Sequence, residues 1–334
     1  MGVSTAPPPP TTSKTPRKQH LEAVGAYQYV LTFLFMGGRR SEWMRNQAIW
    51  RQLRDYYPVK LVKTAELPPD RNYVLGAHPH GVMCTGFLCN FSTESNGFSQ
   101  LFPGLQPWLA VLAGLFYVPV YRDYIMSFGL RPVSRQSLDF ILSQPRLGQA
   151  VVIMVGGAHE ALYSVPGKHC LTLRKRKGFV RLALRHGASL VPVYSFGEND
   201  IFRLKAFATG SWQHWCQLTF KKLMGFSPCI FWGRSLFSAT SWGLLPFAVP
   251  ITTVGECLPP GGRLPAAAWA SGTSCHPCLP LPAVGRPIPV PQRLHPTEEE
   301  VSHYHALYMM ALEKLFEEHK ESCGVPASTC LTLI

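Results

Sequence analysis

Two histidines that flank a single proline form the sharpest chemical motif of the chain, His78-Pro79-His80-Gly81. Proline fixes its own φ angle and restricts the residue before it, so the two imidazoles lie on a stiff turn. An imidazole titrates near neutral pH and can act as a general base. On this motif alone, a turn whose histidines only hydrogen-bond to the backbone is about equally well supported. We take His78 and His80 as candidate catalytic bases.

A second motif, Gly156-Gly157-Ala158-His159-Glu160, follows an apolar run at residues 150–155. Glycine lets backbone N–H groups come close to a ligand, which suits Gly156 and Gly157 to the stabilisation of an oxyanion. Glu160 has the chemistry to orient a histidine or to bind a hydroxyl. Taken alone, the same residues also fit a tight turn with a solvated glutamate.

A basic segment comes shortly after this turn. Residues 173–185 contain Arg174, Lys175, Arg176, Lys177, Arg181 and Arg185. Such a run is most often a solvated helix face, but its place beside a glycine-rich turn favours phosphate binding. Nucleic acid is not expected as a partner, because aromatic residues are not interleaved with the basic ones and no nucleic-acid motif is present.

The elements that position these motifs alternate between strands and helices. Residues 73–75 and 150–155 are apolar runs typical of buried strands, and residues 189–196 predict a third strand. Residues 178–186 predict a helix that ends at Gly187. This alternation predicts an α/β fold, a mixed sheet flanked by helices, with the chemistry at the strand ends.

Two further helices carry end signals. Ser41 is a suitable N-cap for a helix that runs to Tyr57, where a proline follows. Thr297 and Glu300 form a capping box at the start of the final helix, which we expect to end at Gly324.

The chain divides into four segments by composition. Residues 1–20 are a Pro-rich tail, predicted to be disordered and not a signal peptide. Residues 21–57 hold a membrane-proximal segment and a helix. Residues 58–324 form the main domain, with a flexible insertion at 255–283 that is rich in Pro, Gly and Ala. Residues 325–334 are a C-terminal tail.

The composition is apolar and basic at once. Of the 334 residues, 46% are hydrophobic and 15% are charged, and 32 Lys and Arg against 19 Asp and Glu give a net charge of +13. This excludes an intrinsically disordered protein and a coiled coil. No apolar run reaches the roughly 18 residues that cross a bilayer. Such a chain is expected to meet anionic lipid or a phosphate-bearing ligand.

As a set, these motifs resemble the diacylglycerol acyltransferase type 2 family, within which the chain is most similar to monoacylglycerol acyltransferases. The resemblance rests on residues 73–81, 155–160, 176–183 and 190–200, with Tyr56-Tyr57-Pro58 and Gly285-Arg286-Pro287-Ile288 as further elements. It extends from about residue 19 to the C-terminus, apart from the insertion. More distantly, the chain resembles the glycerol-phosphate acyltransferase superfamily, whose fold it is expected to share.

The resemblance implies an acyl-CoA-dependent transfer of a fatty acyl group to monoacylglycerol, giving diacylglycerol, and also to diacylglycerol, giving triacylglycerol. It implies acyl-CoA as a co-substrate, with no cofactor and no metal. One histidine of the pair is expected to remove the proton of the acceptor hydroxyl, with Glu160 orienting it and with Gly156 and Gly157 stabilising the oxyanion. The residues expected to bind the CoA phosphates are Arg135, Arg176, Lys177 and Arg181.

Three features depart from these families. The superfamily places an aspartate five residues after its histidine, but Met83 stands there. Relatives continue after residues 33–36 into a long apolar membrane hairpin, whereas here Gly38-Arg39-Arg40 follows. The insertion at 255–283 is the third. The expected location is the cytosolic face of the endoplasmic reticulum membrane, with attachment weakened by the missing hairpin, and self-association into a homo-oligomer stays open.

Two rival functions follow from the same residues. A His-x-His at a strand end also occurs in metal-dependent hydrolases, where His159, His186 and Asp200 would be further ligands beside His78 and His80. The other rival is a membrane-associated protein that binds acyl-CoA or lipid without turnover, which the missing hairpin favours. Bound metal would indicate the first, and acyl-CoA binding without transfer the second.

Overall fold

The computed structural model describes residues 40–208, 210–235, 242–254 and 286–334. Three of the features predicted from the sequence lie outside the described residues: the Pro-rich tail, the hairpin deletion after residue 36, and the insertion at 255–283.

A seven-stranded sheet forms the centre of the described part of the chain. In spatial order its strands are β1 (Lys60–Leu61), β11 (Thr252–Val254), β7 (Ser189–Phe196), β2 (Tyr73–His78), β5 (Gln149–Met154), β3 (Gln106–Val111) and β4 (Leu130–Pro132). Neighbouring strands are parallel, except that β11 is antiparallel to β7. The predicted mixed sheet is confirmed.

Two small sheets lie beside it. One contains β8 (Arg203–Leu204), β9 (Phe231–Arg234) and β10 (Trp242–Gly243), and the other pairs β6 (Cys170–Leu171) with β12 (Thr332–Leu333). The C-terminal residues, set apart by the sequence as a tail, are therefore bonded to the body of the protein. The carbonyl of Ile334 also accepts hydrogen bonds from the N–H groups of Leu173 and Arg174, at 2.9 and 3.1 Å.

The described helices connect these strands. They are α1 (Glu42–Arg45), α2 (Ala48–Tyr56), α3 (Thr85–Phe87), α4 (Phe98–Leu101), α5 (Tyr121–Ser127), α6 (Arg135–Leu142), α7 (Gly157–Glu160), α8 (Gly178–His186), α9 (Trp212–Met224) and α10 (Glu298–His319). A π-helical turn covers Leu88–Ser92, and 3₁₀ turns cover Ala113–Tyr117 and Ala161–Tyr163. The predicted bounds of α8 and β7 are confirmed.

Apolar side chains cover both faces of the main sheet. In β2, Val74 belongs to a buried cluster with Phe179 of α8 and Leu312 of α10. Its neighbour Leu75 points the other way, into a cluster with Phe91. Because successive strand residues face opposite sides, a strand covered on both faces must be apolar at nearly every position. This is why the central strands appear in the sequence as continuous apolar runs.

The prediction of a single helix from Ser41 to Tyr57 is wrong in one respect: the segment forms two helices, α1 and α2. Ser41 does cap α1, with its hydroxyl accepting from the Met44 N–H at 3.4 Å. At the break, the side-chain amides of Asn46 and Gln47 donate to carbonyls of the preceding turn, at 2.9 and 3.0 Å. Side-chain bonds of this kind compete with continuation of the helix.

The final helix begins as predicted. The hydroxyl of Thr297 accepts from the Glu300 N–H, and the Glu300 carboxylate accepts from the Thr297 N–H, which completes the capping box. The helix ends at His319, about one turn before Gly324, which has a φ of +80°.

Candidate active site

The histidine motif and the glycine turn lie side by side at one edge of the main sheet. β2 and β5 are parallel neighbours, with Ala77 opposite Met154. His78 is the last residue of β2, and Gly156 and Gly157 begin the turn after β5. Because parallel strands end at the same edge of a sheet, the two motifs meet there.

His78 is fully buried beneath this edge. Its Nε2 lies 3.1 Å from the hydroxyl of Tyr308, which in turn donates to the carbonyl of Gly76 at 2.9 Å. Because the Tyr308 hydroxyl donates its proton to the Gly76 carbonyl, it accepts in its bond with His78, so the His78 Nε2 carries the ring proton. Its Nδ1 is buried with no hydrogen-bond partner. Burial lowers the pKa of His78 to about 3, so the ring is neutral at physiological pH.

His80 is half-buried, two residues after the end of β2. Its Nδ1 lies 2.9 Å from the carbonyl of Gly81, and a carbonyl only accepts, so this nitrogen carries the ring proton. The Nε2 has a long contact with the Cys84 Sγ, at 3.8 Å, and because that thiol donates its proton to the His80 carbonyl, the Nε2 lone pair is left available. Burial lowers the pKa of His80 below its ordinary value, and the bond to Gly81 opposes part of that shift. A neutral imidazole with a free Nε2 is the form that a general base requires.

Glu160 holds the main chain of His80 rather than its ring. One carboxylate oxygen accepts from the N–H of His80 and the other from the N–H of Thr172, both at 2.7 Å. The side chain is buried, and burial raises the pKa of Glu160 to about 7, while the two N–H bonds oppose that rise. Gly156 packs directly on this carboxyl group, and a Cβ at position 156 would overlap it.

A second buried carboxyl group, that of Glu198, lies under the histidine turn and was not among the residues assigned from the sequence. Its Oε2 accepts from the N–H of Gly86 at 2.9 Å and its Oε1 has no hydrogen-bond partner. Burial raises the pKa of Glu198 to about 7. Gly81 has a φ of +64°, and a Cβ there would come within 2.7 Å of the Glu198 Cγ. The available signal was a glutamate just after the apolar run of β7.

Cys84 lies between the two carboxyl groups and His80. Its thiol donates to the His80 carbonyl at 3.0 Å. Burial, reinforced by the charges of Glu198 and Glu160, raises the pKa of Cys84 well above its ordinary value. The thiol is therefore protonated and is a poor nucleophile.

The geometry agrees with the comparisons to known proteins. The family described as diacylglycerol acyltransferase matches residues 21–259 and 280–334 of the chain. Human 2-acylglycerol O-acyltransferase 3 is 77% identical over 370 aligned positions that cover 100% of both chains. Human diacylglycerol O-acyltransferase 2 is 50% identical over 88% of this chain and 69% of its own.

The chain belongs to the diacylglycerol acyltransferase family. The resemblance stated from the sequence motifs is confirmed. A crystal structure of the 1-acyl-sn-glycerophosphate acyltransferase PlsC from Thermotoga maritima overlays on 87% of this chain and 89% of its own, with 15% identity and a TM-score of 0.37.

The four basic residues expected to bind CoA phosphates have different partners in this acyltransferase. Arg176 lies at the site, with its guanidinium 3.4 Å from the Gly156 carbonyl. Lys177 donates to Ser302 of α10 at 2.9 Å. The other two form ion pairs: Arg181 with Glu298, and the exposed Arg135 with Asp139 at 3.6 Å.

A cation that sequence reasoning missed, Lys221 of α9, approaches Arg176. The pKa of Lys221 is lowered first by burial and then by the positive charge of Arg176. Both cations also lower the pKa of His159, after burial. No sequence spacing links Lys221 to this turn, because the two are brought together only by the packing of α9.

The residues of the metal-hydrolase alternative are dispersed in this family member. His186 bonds to Asp139 at 2.8 Å, His159 to the Thr172 hydroxyl at 3.3 Å, and Asp200 accepts from the Gly167 N–H at 2.9 Å. Among the described residues, no three His, Cys, Asp or Glu side chains form a group that could hold a metal ion.

None of the helices that the structure describes combines the length and hydropathy that crossing a bilayer requires.

Proposed function

We propose that this chain transfers a fatty acyl group from acyl-CoA to the free hydroxyl of a monoacylglycerol, giving diacylglycerol, and also acylates diacylglycerol to triacylglycerol. One observation carries the proposal: the neutral, half-buried His80 lies at the edge of the sheet, and among the described residues its Nε2 has only a long contact, 3.8 Å, with the Cys84 thiol. The names and identities of the two human relatives support the acylglycerol acceptors. Acyl-CoA serves as co-substrate, and no cofactor enters the reaction.

The reaction follows from the geometry of His80. Its Nε2 removes the proton of the acceptor hydroxyl while the hydroxyl oxygen attacks the thioester carbonyl. The N–H groups of Gly156 and Gly157, at the start of α7 where helix N–H groups lack intrahelical partners, stabilise the oxyanion of the tetrahedral intermediate. Collapse breaks the C–S bond, and the protonated His80 returns the proton to the CoA thiolate.

Two side chains support His80 without sharing the proton transfer. Glu160 fixes the main chain of His80 relative to Thr172, as the two 2.7 Å bonds indicate. His78 fills the space beneath the turn as a neutral ring. A thioester is already activated, so no acyl-enzyme on Cys84 is required.

The basic residues provide the acyl-CoA site. Arg176 and Lys221 give two positive charges beside the glycine turn, where a phosphate can be bound. We retain Lys177, Arg181 and Arg135 as further contacts to the CoA phosphates, and their present partners would have to be exchanged for the ligand.

The proposed location is the cytosolic face of the endoplasmic reticulum membrane, where the acylglycerol acceptors dissolve. The apolar and basic composition of the chain supports it. A homo-oligomer belongs to the same proposal.

The test compares histidine variants of the full chain in membranes, with labelled acyl-CoA and monoacylglycerol. His80→Ala should lower kcat by about 1000-fold, within the range for loss of a general base. His303→Ala, on the surface of α10, is the matched control and should leave turnover unchanged. Unchanged turnover in His80→Ala, His78→Ala and Glu160→Ala together would contradict the assignment. Acyl-CoA binding without transfer by the parent chain would indicate the non-catalytic alternative.

A further inference from the structure

Helix α9 has the reverse of the polarity expected for a helix in water. Its exposed residues include Trp212, Trp215 and Leu223, whose side chains are 72%, 66% and 80% exposed. Its buried residues include His214 and Gln217, at 7% and 8%. A helix on the surface of a water-soluble protein buries its apolar side and exposes its polar side. The outer surface of α9 therefore suits an apolar medium.

The exposed apolar residues form one continuous face. They recur at spacings of three to five positions along the helix, and Phe226 extends the row just beyond it. We call this set the α9 apolar face, and its members are Trp212, Trp215, Phe220, Leu223 and Phe226.

The polar side of α9 is fixed against the active-site turn, so the helix cannot simply rotate its apolar face inward. Gln217 donates to the carbonyl of Pro228 at 3.0 Å. The ring of His214 packs on Tyr163, with centroids 6.4 Å apart. Just after the helix, the hydroxyl of Ser227 donates to the carbonyl of Ala158 in the glycine turn.

The charge around α9 has a single sign. Residues 201–255 contain no Asp or Glu, and their basic residues are Arg203, Lys205, Lys221, Lys222 and Arg234. Arg203, Lys205 and Lys222 are exposed. Tryptophans beside lysines and arginines are typical of segments that lie in the headgroup region of an anionic membrane. A second copy of the α9 apolar face is a poorer occupant than an anionic bilayer, because it would bring the same exposed cations of this segment together.

A second exposed apolar segment lies at the same edge of the sheet, directly after β3. It contains Tyr117, Val118, Val120 and Tyr121. Since β3, β5 and β2 are parallel, this segment and His80 both follow strand ends at one edge. The chain just after α9 is bonded to the glycine turn at that edge, through Ser227 and Ala158. Apolar surface near the site is what a protein needs in order to take a lipid acceptor from a membrane.

We propose that the α9 apolar face binds the surface of an anionic phospholipid bilayer, with the helix lying in the plane of the headgroups. Its 13 residues are too few to cross a bilayer. The bound orientation directs the edge of the sheet that carries His80 towards the lipid. The proposal concerns attachment alone and holds whether or not the chain transfers acyl groups.

The test measures binding of the full chain to vesicles of phosphatidylcholine with about 30% phosphatidylserine. The triple variant Trp212→Gln, Trp215→Gln, Leu223→Gln should bind at least about 30-fold more weakly, because three apolar side chains no longer leave water. The matched control is Phe140→Gln, Leu294→Gln, Met310→Gln, three exposed apolar side chains from α6, α10 and the loop before α10. It should change binding by no more than about twofold.

A second measurement uses a variant in which phenylalanine replaces two tryptophans of the face. It therefore does not depend on whether the triple variant folds. Bromine atoms on lipid acyl chains quench only tryptophans that enter the bilayer. The difference in fluorescence between the parent chain and the double variant Trp212→Phe, Trp215→Phe is the emission of these two tryptophans. We expect brominated vesicles to quench this emission when the parent chain is bound to them. Unweakened binding of a folded triple variant, or unquenched fluorescence of this pair, would overturn the proposal. A third result would overturn the proposal in favour of self-association. In that case the parent chain forms a dimer, the triple variant does not, and neither protein binds vesicles.

Discussion

At the edge of the main sheet where its strands begin, the side chains of Asn72 and Gln149 are hydrogen-bonded through both their oxygen and their nitrogen atoms. Asn72 accepts from the Gln149 N–H at 3.0 Å and donates to the Leu142 carbonyl at 3.1 Å, while Gln149 accepts from the Trp108 indole at 2.7 Å. At the opposite edge, the buried His78 Nδ1, Glu198 Oε1 and Asn199 Oδ1 have no partner.

Buried polar groups thus have different roles at the two edges. Where the strands begin, hydrogen-bonded neutral amides fix the relative positions of neighbouring strands. Titratable groups with free lone pairs cost stability, and folded proteins retain them mainly where chemistry is done. Raised pKa values at Glu160 and Glu198, and lowered ones at His78 and His80, occur only at the second of these two edges.

After the loss of the proposed base itself, the largest effect should come from Glu160, which links the two strand ends of the site. Glu160→Ala leaves the N–H groups of His80 and Thr172 without acceptors, and the resulting displacement of His80 should lower kcat by about 100-fold. KM for acyl-CoA should change much less. Glu160→Gln should recover part of the loss, because its amide oxygen can accept one of the two bonds. Steady-state kinetics on the three proteins decide this, and equal kcat values would remove Glu160 from the site.

At the opposite edge the expected effect is on stability alone. Asn72→Ala removes the bonds to Gln149 and Leu142 and leaves a buried N–H and a buried carbonyl unpaired. The free energy of unfolding should fall by about 2–3 kcal/mol, while kcat per folded molecule is unchanged. Urea unfolding and kinetics on the same preparation measure both quantities. A fall in kcat without a loss of stability would break the distinction between the two edges.

Stability should also depend on pH through the edge of the sheet that carries the proposed site. Because burial raises the pKa of Glu198 from 4.5 to about 7, the folded protein binds more protons than the unfolded chain between those values. This contribution to stability is complete below pH 4.5 and is lost as the pH rises to about 7. Glu198→Gln should remove it, flattening the slope by up to about 1.4 kcal/mol per pH unit.

His78 contributes a slope of opposite sign. Its pKa falls from 6.5 to about 3, so its contribution is complete above pH 6.5 and is lost as the pH falls below that value. Comparing Glu198→Gln with the parent isolates the glutamate, because His78 is present in both. Asn72→Ala serves as the control, and its pH slope should match that of the parent. An unchanged slope in Glu198→Gln would show that this carboxyl group ionises normally.

The sequence by itself determined the elements whose signals are local. The bounds of α8 and β7, the capping box at Thr297 and the alternation of strands and helices all depend on residues within a few positions of each other. The broken helix at Asn46 was missed because side-chain amides compete with the helix there, and helical spacing does not report that competition.

The tertiary structure alone decided how the site is assembled. His78 meets Tyr308 across 230 positions, and Glu160 meets the main chain of His80 across 80, because the order of strands in the sheet brings them together. Lys221 and Glu198 enter the site for the same reason. The apolar residues of α9 can be seen in the sequence, but only its packing shows that they face outward, since periodicity does not say which side of a helix meets the protein.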